Sequence, residues 1–356
     1  MVVATPAQNQ ANQVRVQFGC GIRSDLRAEV ARLGARRALV LSTPEQCALA
    51  LEASEALGPF AAAVYTKATM HTPVEVTLDA LEHLLACEAD CLVAIGGGST
   101  VGLGKALAYR TDLPQITVPT TYAGSEATPI LGQTEDGLKT TLSDPKVLPE
   151  VILYDPELVA TLPVSMTVTS GLNAMAHAGE ALYAANRTSA TTQLAIEGLQ
   201  SLVRGLPDVM AAPHDLVARE LTQRGAWACG TVLGQVGMAL HHKLCHTLGG
   251  SFDLPHADTH AIILPHAIAY NARAAAQELA PITDILGGET AGFALYDFAR
   301  GLGAPLALRD LGVSAADLER AADLATQKPY PNPQPIARDE IHALLQAAWA
   351  GDAPVF

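Results

Sequence analysis

The run CLVAI at Cys91–Ile95 leads directly into Gly96, Gly97, Gly98, Ser99 and Thr100, and a helical pattern follows over Val101–Tyr109. An apolar pentapeptide has no polar face to offer solvent, so it belongs to a strand buried on both sides. The glycines let the backbone approach a ligand, and a helix N-terminus presents free N–H groups and a favourable dipole to an anion. Together they predict a phosphate-binding loop at the end of a parallel strand. The spacing is neither GxGxxG nor that of a P-loop, so ordinary Rossmann and nucleotide-hydrolase readings are not supported. Lys105, just inside the helix, is expected to help balance the phosphate charge.

Similar strands surround this one. RALVL (Arg37–Leu41) follows a helical stretch over Ser24–Leu33, and Ala61–Tyr65, QITV (Gln115–Val118) and VILY (Val151–Tyr154) complete the set, with a helix over Val74–Cys87. Buried strands alternating with helices predict a parallel α/β sheet. After Asp155 and Pro156 the pattern changes, and from about Ser165 it is almost wholly helical, ending in a proline-rich loop (KPYPNPQP, 328–335) and a helix over Arg338–Ala350. The division falls near 156–165, giving an α/β domain over 1–160 and an all-α domain over 161–356. A chain of 356 residues is comfortable as two domains.

Composition excludes several function classes. A net charge of −14 repels a phosphate backbone, and 4% aromatic residues leave little for stacking on bases, so no nucleic-acid partner is expected. No stretch approaches the roughly 18 apolar residues of a membrane helix, so no membrane partner is expected either. The six cysteines show no CxxC or zinc-type spacing, and the polar opening residues contain no apolar leader. A cytoplasmic location is the expectation.

The chemistry concentrates in histidines. Asn173 and His177 stand four apart in the helical run GLNAMAHAGEALYA and share a face. His241, His242, His246 and His256 follow in a glycine-rich segment, with His242 and His246 again four apart. His177, His242 and His256 read as pocket residues; His241, His260 and His266 read as core. Converging imidazoles either hold zinc or iron, or move protons and stabilise an oxyanion near neutral pH. An Asp one turn before His177 would complete a carboxylate-plus-three-His metal site. Asn173 is a neutral, poorer ligand, so no metal is expected. PTTYAGSE (119–126) follows a strand and is rich in hydroxyls suited to ribose and phosphate, or to a helix cap.

GGGST at 96–100, PTT at 119–121, DP at 155–156, LP at 162–163, GxNAxxHAxE at 171–180, HxxxHxLG at 242–249 and PH at 255–256 resemble the iron-containing alcohol dehydrogenase superfamily over nearly the whole chain. The resemblance implies an N-terminal dinucleotide-binding α/β domain and a helical catalytic domain. Three departures single out a branch: Asn173 in place of a metal-binding Asp, PTTYAGSE one residue shorter than PTTAGTGSE, and HHKLCHTLGGSFDLPHADTH at 241–260. They resemble the maleylacetate reductase branch, as do the opening FGCGIRSDLRAEVARLGARRALVLSTPEQ and KPYPNPQPI.

That branch implies NADH- or NADPH-dependent reduction of the C=C bond of 2-maleylacetate to 3-oxoadipate, in aromatic-compound breakdown, by a homodimer. By the same resemblance Gly97, Gly98, Ser99, Thr120, Thr121 and Lys139 contact the cofactor. Thr43 stands where many relatives carry an Asp that repels a 2′-phosphate, so NADPH is not excluded. Carboxylate anchoring, oxyanion stabilisation and proton donation fall to His242, Lys243 and His246, with His246 the first choice as acid. His177 and His256 line the pocket. Tyr122 is a further donor or a packing residue, and Lys243 could instead be a solvated charge. The rival readings are a metal-dependent alcohol dehydrogenase acting on a small alcohol or aldehyde, a lyase or cyclase resembling dehydroquinate synthase, and a nucleotide sensor. The strand Val14–Phe18 is expected to pair across an interface.

Overall fold

The computed structural model describes residues 14–135, 138–328 and 330–356, so the polar opening stretch lies largely outside it. The chain divides into two compact units, residues 1–120 with 125–157 and residues 121–124 with 158–356. The chain crosses between the units at 120/121, 124/125 and 157/158.

The first unit is built on β1 (Arg15–Phe18), β2 (Ala38–Leu41), β3 (Ala61–Tyr65), β4 (Cys91–Gly96), β5 (Gln115–Pro119), the hairpin β6 (Ile130–Glu135) and β7 (Leu138–Ser143), and β8 (Val151–Tyr154). Six of these form a parallel sheet in the order β1-β8-β5-β4-β2-β3, while β6 and β7 pair antiparallel by themselves. Every residue of β2, β4, β5 and β8 is buried, as apolar runs covered on both faces require. The helices are α1 (Leu26–Arg32), α2 (Cys47–Leu57), α3 (Val74–Ala86) and α4 (Gly98–Thr111). Leu39, Leu41, Ala80, Leu84, Leu92, Leu103 and Leu107 pack into one core. From β2 the chain runs to β3 on one side and then returns to β4 on the other. Ligands of doubly wound sheets bind outside the carboxyl ends of strands at such a reversal. Thr43, just beyond β2, and Gly97 and Gly98, just beyond β4, flank that point.

The short helix α5 (Pro156–Val159) leads into the second unit, whose helices are α6 (Val164–Tyr183), α7 (Ser189–Ala211), α8 (Leu216–Leu233), α9 (Leu240–Phe252), α10 (His256–Leu286), α11 (Ala291–Gly301), α12 (Asp317–Thr326) and α13 (Arg338–Ala350). All of α6 from Thr167 to Tyr183 is buried, so it is the central helix, in contact with α7, α8 and α10. Its apolar neighbours include Leu199, Leu202, Ile268 and Leu295. A second core joins Leu240, Leu244 and Leu248 of α9 to Ile262, Leu344 and Leu345. No described helix is long and apolar enough to cross a membrane.

Candidate active site

In the first unit Gly97 is the N-cap of α4 and Gly98 its first residue. A Cβ on Gly96 would lie 2.3 Å from Thr100 Oγ1, so no side chain is tolerated there. A Cβ on Gly98 would meet nothing within 4 Å, so the helix start is open to a ligand. Gly98 is exposed, and Gly97, Ser99 and Thr43 are half-buried. Thr120 N donates to Gly96 O (3.1 Å), tying the end of β5 to the glycine turn. Gln46 Nε2 donates to Thr120 Oγ1 (2.9 Å), a support to which no role was assigned from the sequence, where Gln46 only closes the run ending in STPEQ. An open helix N-terminus beside hydroxyls suits a pyrophosphate, so these residues fit a dinucleotide. Lys139 lies on β7, and its side chain is outside the described residues.

Lys105 does not serve the phosphate loop. Its Nζ is buried and donates to Ser125 O (2.5 Å), Thr128 O (2.7 Å), Thr128 Oγ1 (3.0 Å) and Ile130 O (2.9 Å). Burial lowers its pKa to about 7, with Glu126 opposing. The side chain fastens the segment after PTTYAGSE, because position 105 is two turns beyond the helix start and faces inward.

Thr121 and Tyr122 belong to the second unit, Thr121 half-buried and Tyr122 fully buried. Arg219 of α8, also fully buried, donates from Nη1 to Tyr122 Oη (3.3 Å) and Thr167 Oγ1 (2.8 Å), from Nη2 to Leu162 O (3.0 Å) and from Nε to Pro213 O (2.9 Å). Tyr122 is therefore placed as a packing residue, not as a donor to substrate. Burial raises its phenol to about 12, against the pull of Arg219. The same run seats on α8 backbone to backbone: a Cβ on Gly230 would lie 2.1 Å from Gly124 O.

The histidines come together within the second unit. Asn173, His177 and Glu180 lie along one face of α6, while α9 carries His241, His242 and His246, and α10 carries His256 and His260. His177 stacks on His242 with centroids 5.3 Å apart, and His246 meets His242 edge-on at 6.1 Å. His256 lies 4.1 Å from His260, which in turn is 5.2 Å from His242. Glu180 organises the group. Its Oε2 accepts from His242 Nδ1 (2.6 Å) and Ala239 N (3.0 Å), and its Oε1 accepts from His241 N (2.7 Å) and Tyr183 Oη (3.3 Å). It thus caps the start of α9 and fixes a histidine ring together. In the sequence Glu180 closes the GxNAxxHAxE motif, and a carboxylate inside an apolar helical run is the signal for its role.

Burial holds the inner imidazoles neutral. It lowers His242 to about 3, with His246 adding to the effect, and His241 to about 4. His177 and His260 are pushed well below the ordinary histidine value for the same reason, with neighbouring histidines contributing. A proton on His242 Nδ1, donated to Glu180, leaves Nε2 as a lone pair, and Nε2 is buried without a partner, as is His177 Nδ1. His246 and His256 are exposed, and Lys243 is half-buried.

The positions that would hold a metal are Asn173, His177, His242 and His256. Their chemistry makes a weak set for a divalent ion. Asn173 supplies a neutral amide whose Nδ2 donates to Ala123 O (3.5 Å), so this position adds no anion to offset a divalent charge. His177, His242 and His256 do not bring their donor atoms within 4.8 Å of one another. Among the described residues only Glu180 with His241 and His242, and His241 with Cys245 and His260, do so. Glu180 is already committed to four donors.

Comparison with known proteins agrees with this architecture. Residues 13–156 match the family model for iron-containing alcohol dehydrogenase, and residues 167–349 match the model for the C-terminal part of the Fe-containing alcohol dehydrogenase family. The chain is 57% identical to maleylacetate reductase of Rhizobium sp. (strain MTP-10005), over 96% of this chain and 97% of that one. It is 50% identical to maleylacetate reductase of Burkholderia cepacia, over 97% and 98%. The crystal structure of maleylacetate reductase from Agrobacterium tumefaciens superposes with a TM-score of 0.94 at 57% identity, over 97% of this chain and 98% of that one.

Proposed function

The chain belongs to the iron-containing alcohol dehydrogenase family, and on that premise we propose that it reduces the carbon–carbon double bond of 2-maleylacetate to 3-oxoadipate with NADH or NADPH. The relatives that carry this activity in their names match it over nearly their full length. The observation that carries the reading is the charge pattern of the histidine site. Buried imidazoles are held neutral, an amide stands where a ligating carboxylate would, and Lys243 lies beside His242 on α9.

When bound, the cofactor would supply a hydride to the alkene carbon β to the ketone, and one proton from the protein completes the reduction. Gly97, Gly98, Ser99, Thr120 and Thr121 bind and orient the dinucleotide. Thr43 presents no carboxylate to a 2′-phosphate, which supports use of both cofactors. As negative charge develops on the ketone oxygen, His177 can donate an N–H to it, since a neutral imidazole retains one donor. His242 keeps its Nδ1 proton on Glu180 and fixes the geometry of its neighbours. Lys243 holds a substrate carboxylate, and His256 hydrogen-bonds a substrate oxygen. His246, exposed one turn after His242, can exchange its proton with water and delivers it to the α-carbon. None of these roles requires a metal.

The same proposal places the enzyme in aromatic-compound breakdown, in the cytoplasm, as a homodimer. The outer edge of β1, the last strand of the sheet, offers backbone groups to a second chain. The test is NAD(P)H oxidation with freshly generated maleylacetate, with and without EDTA. Turnover indifferent to the chelator is expected. Turnover abolished by EDTA and restored by iron or zinc would instead favour the metal-dependent alcohol dehydrogenase reading.

A further inference from the structure

The segment after α12 is fastened to the helices that carry the histidines. Asn332 Oδ1 accepts from Leu240 N at the first residue of α9 (3.3 Å) and from Asn271 Nδ2 of α10 (3.0 Å). Its Nδ2 donates to Asn271 Oδ1 (2.6 Å) and Gln334 O (2.7 Å). Tyr270 Oη donates to Pro335 O (2.6 Å) and accepts from Ala337 N (3.2 Å). Pro331, Pro333 and Pro335 fix their own φ, so the strap has few other conformations to visit.

Tyr330 sits at the start of this strap. Lys243 Nζ lies 5.9 Å from the centroid of its ring. The Tyr330 hydroxyl is buried and has no hydrogen-bond partner. Burial, reinforced by Glu180 and Tyr270, raises its pKa, so the phenol keeps its proton and remains a donor. Glu180 does not use that proton, because four other donors occupy its oxygens. A buried donor left without an acceptor is costly and rare in a finished fold. Here the ring that carries it faces the ammonium group of Lys243, on the helix that carries the proposed proton donor.

We propose that Tyr330 Oη and Lys243 Nζ together form a subsite for one carboxylate of a dicarboxylate substrate, presented by the strap Tyr330–Ala337. The hydroxyl donates a directed hydrogen bond and the ammonium supplies the compensating charge. Asn332 is a positioning residue that holds the strap to α9. This assignment rests on the reductase reading above, which named Lys243 alone for the anion. It makes the proline-rich segment the element that selects a dianionic over a monoanionic substrate.

Tyr330→Phe removes only the hydroxyl. Loss of a hydrogen bond to a charged group is expected to raise KM for maleylacetate about 10- to 100-fold, with a smaller change in kcat and an unchanged KM for NADH. Tyr330→Phe and Lys243→Met act on the same carboxylate, so the double variant should lose less than the product of the two single losses. Asn332→Ala should raise the same KM without touching the NADH value. A KM for Tyr330→Phe within twofold of wild type, or full multiplicativity in the double variant, overturns the subsite. Should the wild-type protein fail to turn over maleylacetate at all, the reductase reading fails first. The subsite is then decided by thermal shift with succinate: stabilisation of wild type but not Tyr330→Phe sustains it, and equal behaviour of the two removes it.

Discussion

Glu180 and Asn173 stand on either side of His177 along α6, and each sets one property of the site. Glu180 collects four donors. In Glu180→Gln one acceptor oxygen becomes an NH2 group that opposes the donors facing it. The variant is expected to lose about 1–3 kcal/mol of stability in urea titrations and to turn over more slowly, because the His242 ring is no longer held in one orientation. Unchanged values of both would remove its organising role. Asn173 meets the Ala123 carbonyl with its NH2; an Asp there would set oxygen against oxygen, so the amide suits the loop as well as the chemistry. His246→Ala is expected to lower kcat by about 100-fold or more, the usual scale of a lost general acid, while KM for NADH holds. Unaltered turnover would sink the assignment. The histidines and Asn173 were legible in the sequence because polar residues at i, i+4 interrupt an apolar helix. Glu180's role was not, since its partners include backbone N–H groups 59 and 61 residues away.

Among the elements, the buried strands were the easiest to read. Ala61–Tyr65 and Val151–Tyr154 fall where the apolar runs put them. Helix α4 begins at Gly98, three residues before the expected start at Val101, because glycine and serine have poor helix propensity and pattern reading discounts them. The β6–β7 hairpin was missed. Its strands, ILGQTE and LKTTLS, are too polar to stand out, although Asp136 and Gly137 between them are a hairpin signal. The seating of residues 121–124 on α8 depends on two glycines meeting in space, and no local pattern encodes that. Gly230→Ala would drive a Cβ into Gly124 O, with backbone on both sides and no side chain to yield. A loss of about 1–3 kcal/mol is expected, together with a raised KM for NAD(P)H, since the displaced run contains Thr121 and follows Thr120. Gly301→Ala, where nothing lies within 4 Å of an added Cβ, is the control and should stay near wild type. Equal behaviour of the two variants would contradict the close contact.

For the molecule as a whole, the buried histidines make stability depend on pH in a definite direction. His266 is lowered to about 4 by burial alone, and His241 and His242 to about 4 and 3. An unfolded histidine takes up a proton near 6.5, whereas these folded ones refuse it until pH is far lower. Between those values the unfolded state binds more protons, so stability rises with pH and is lost as pH falls below about 6.5. Each such residue contributes a slope of about 1.4 kcal/mol per pH unit. Urea midpoints should fall steeply as pH drops from 6.5 towards 4, and His266→Leu should fall less steeply than wild type. Parallel curves would show that His266 does not hold a depressed pKa. The three chain crossings at 120/121, 124/125 and 157/158 have a different consequence. Four residues of the helical unit are spelled inside the coding stretch of the other, so the two cannot be exchanged as uninterrupted cassettes. A chimera joined at 158 would pair the foreign counterpart of Tyr122–Gly124 with a native Arg219 and Gly230, and a family that recombines this fold must carry lock and key across three separate breakpoints.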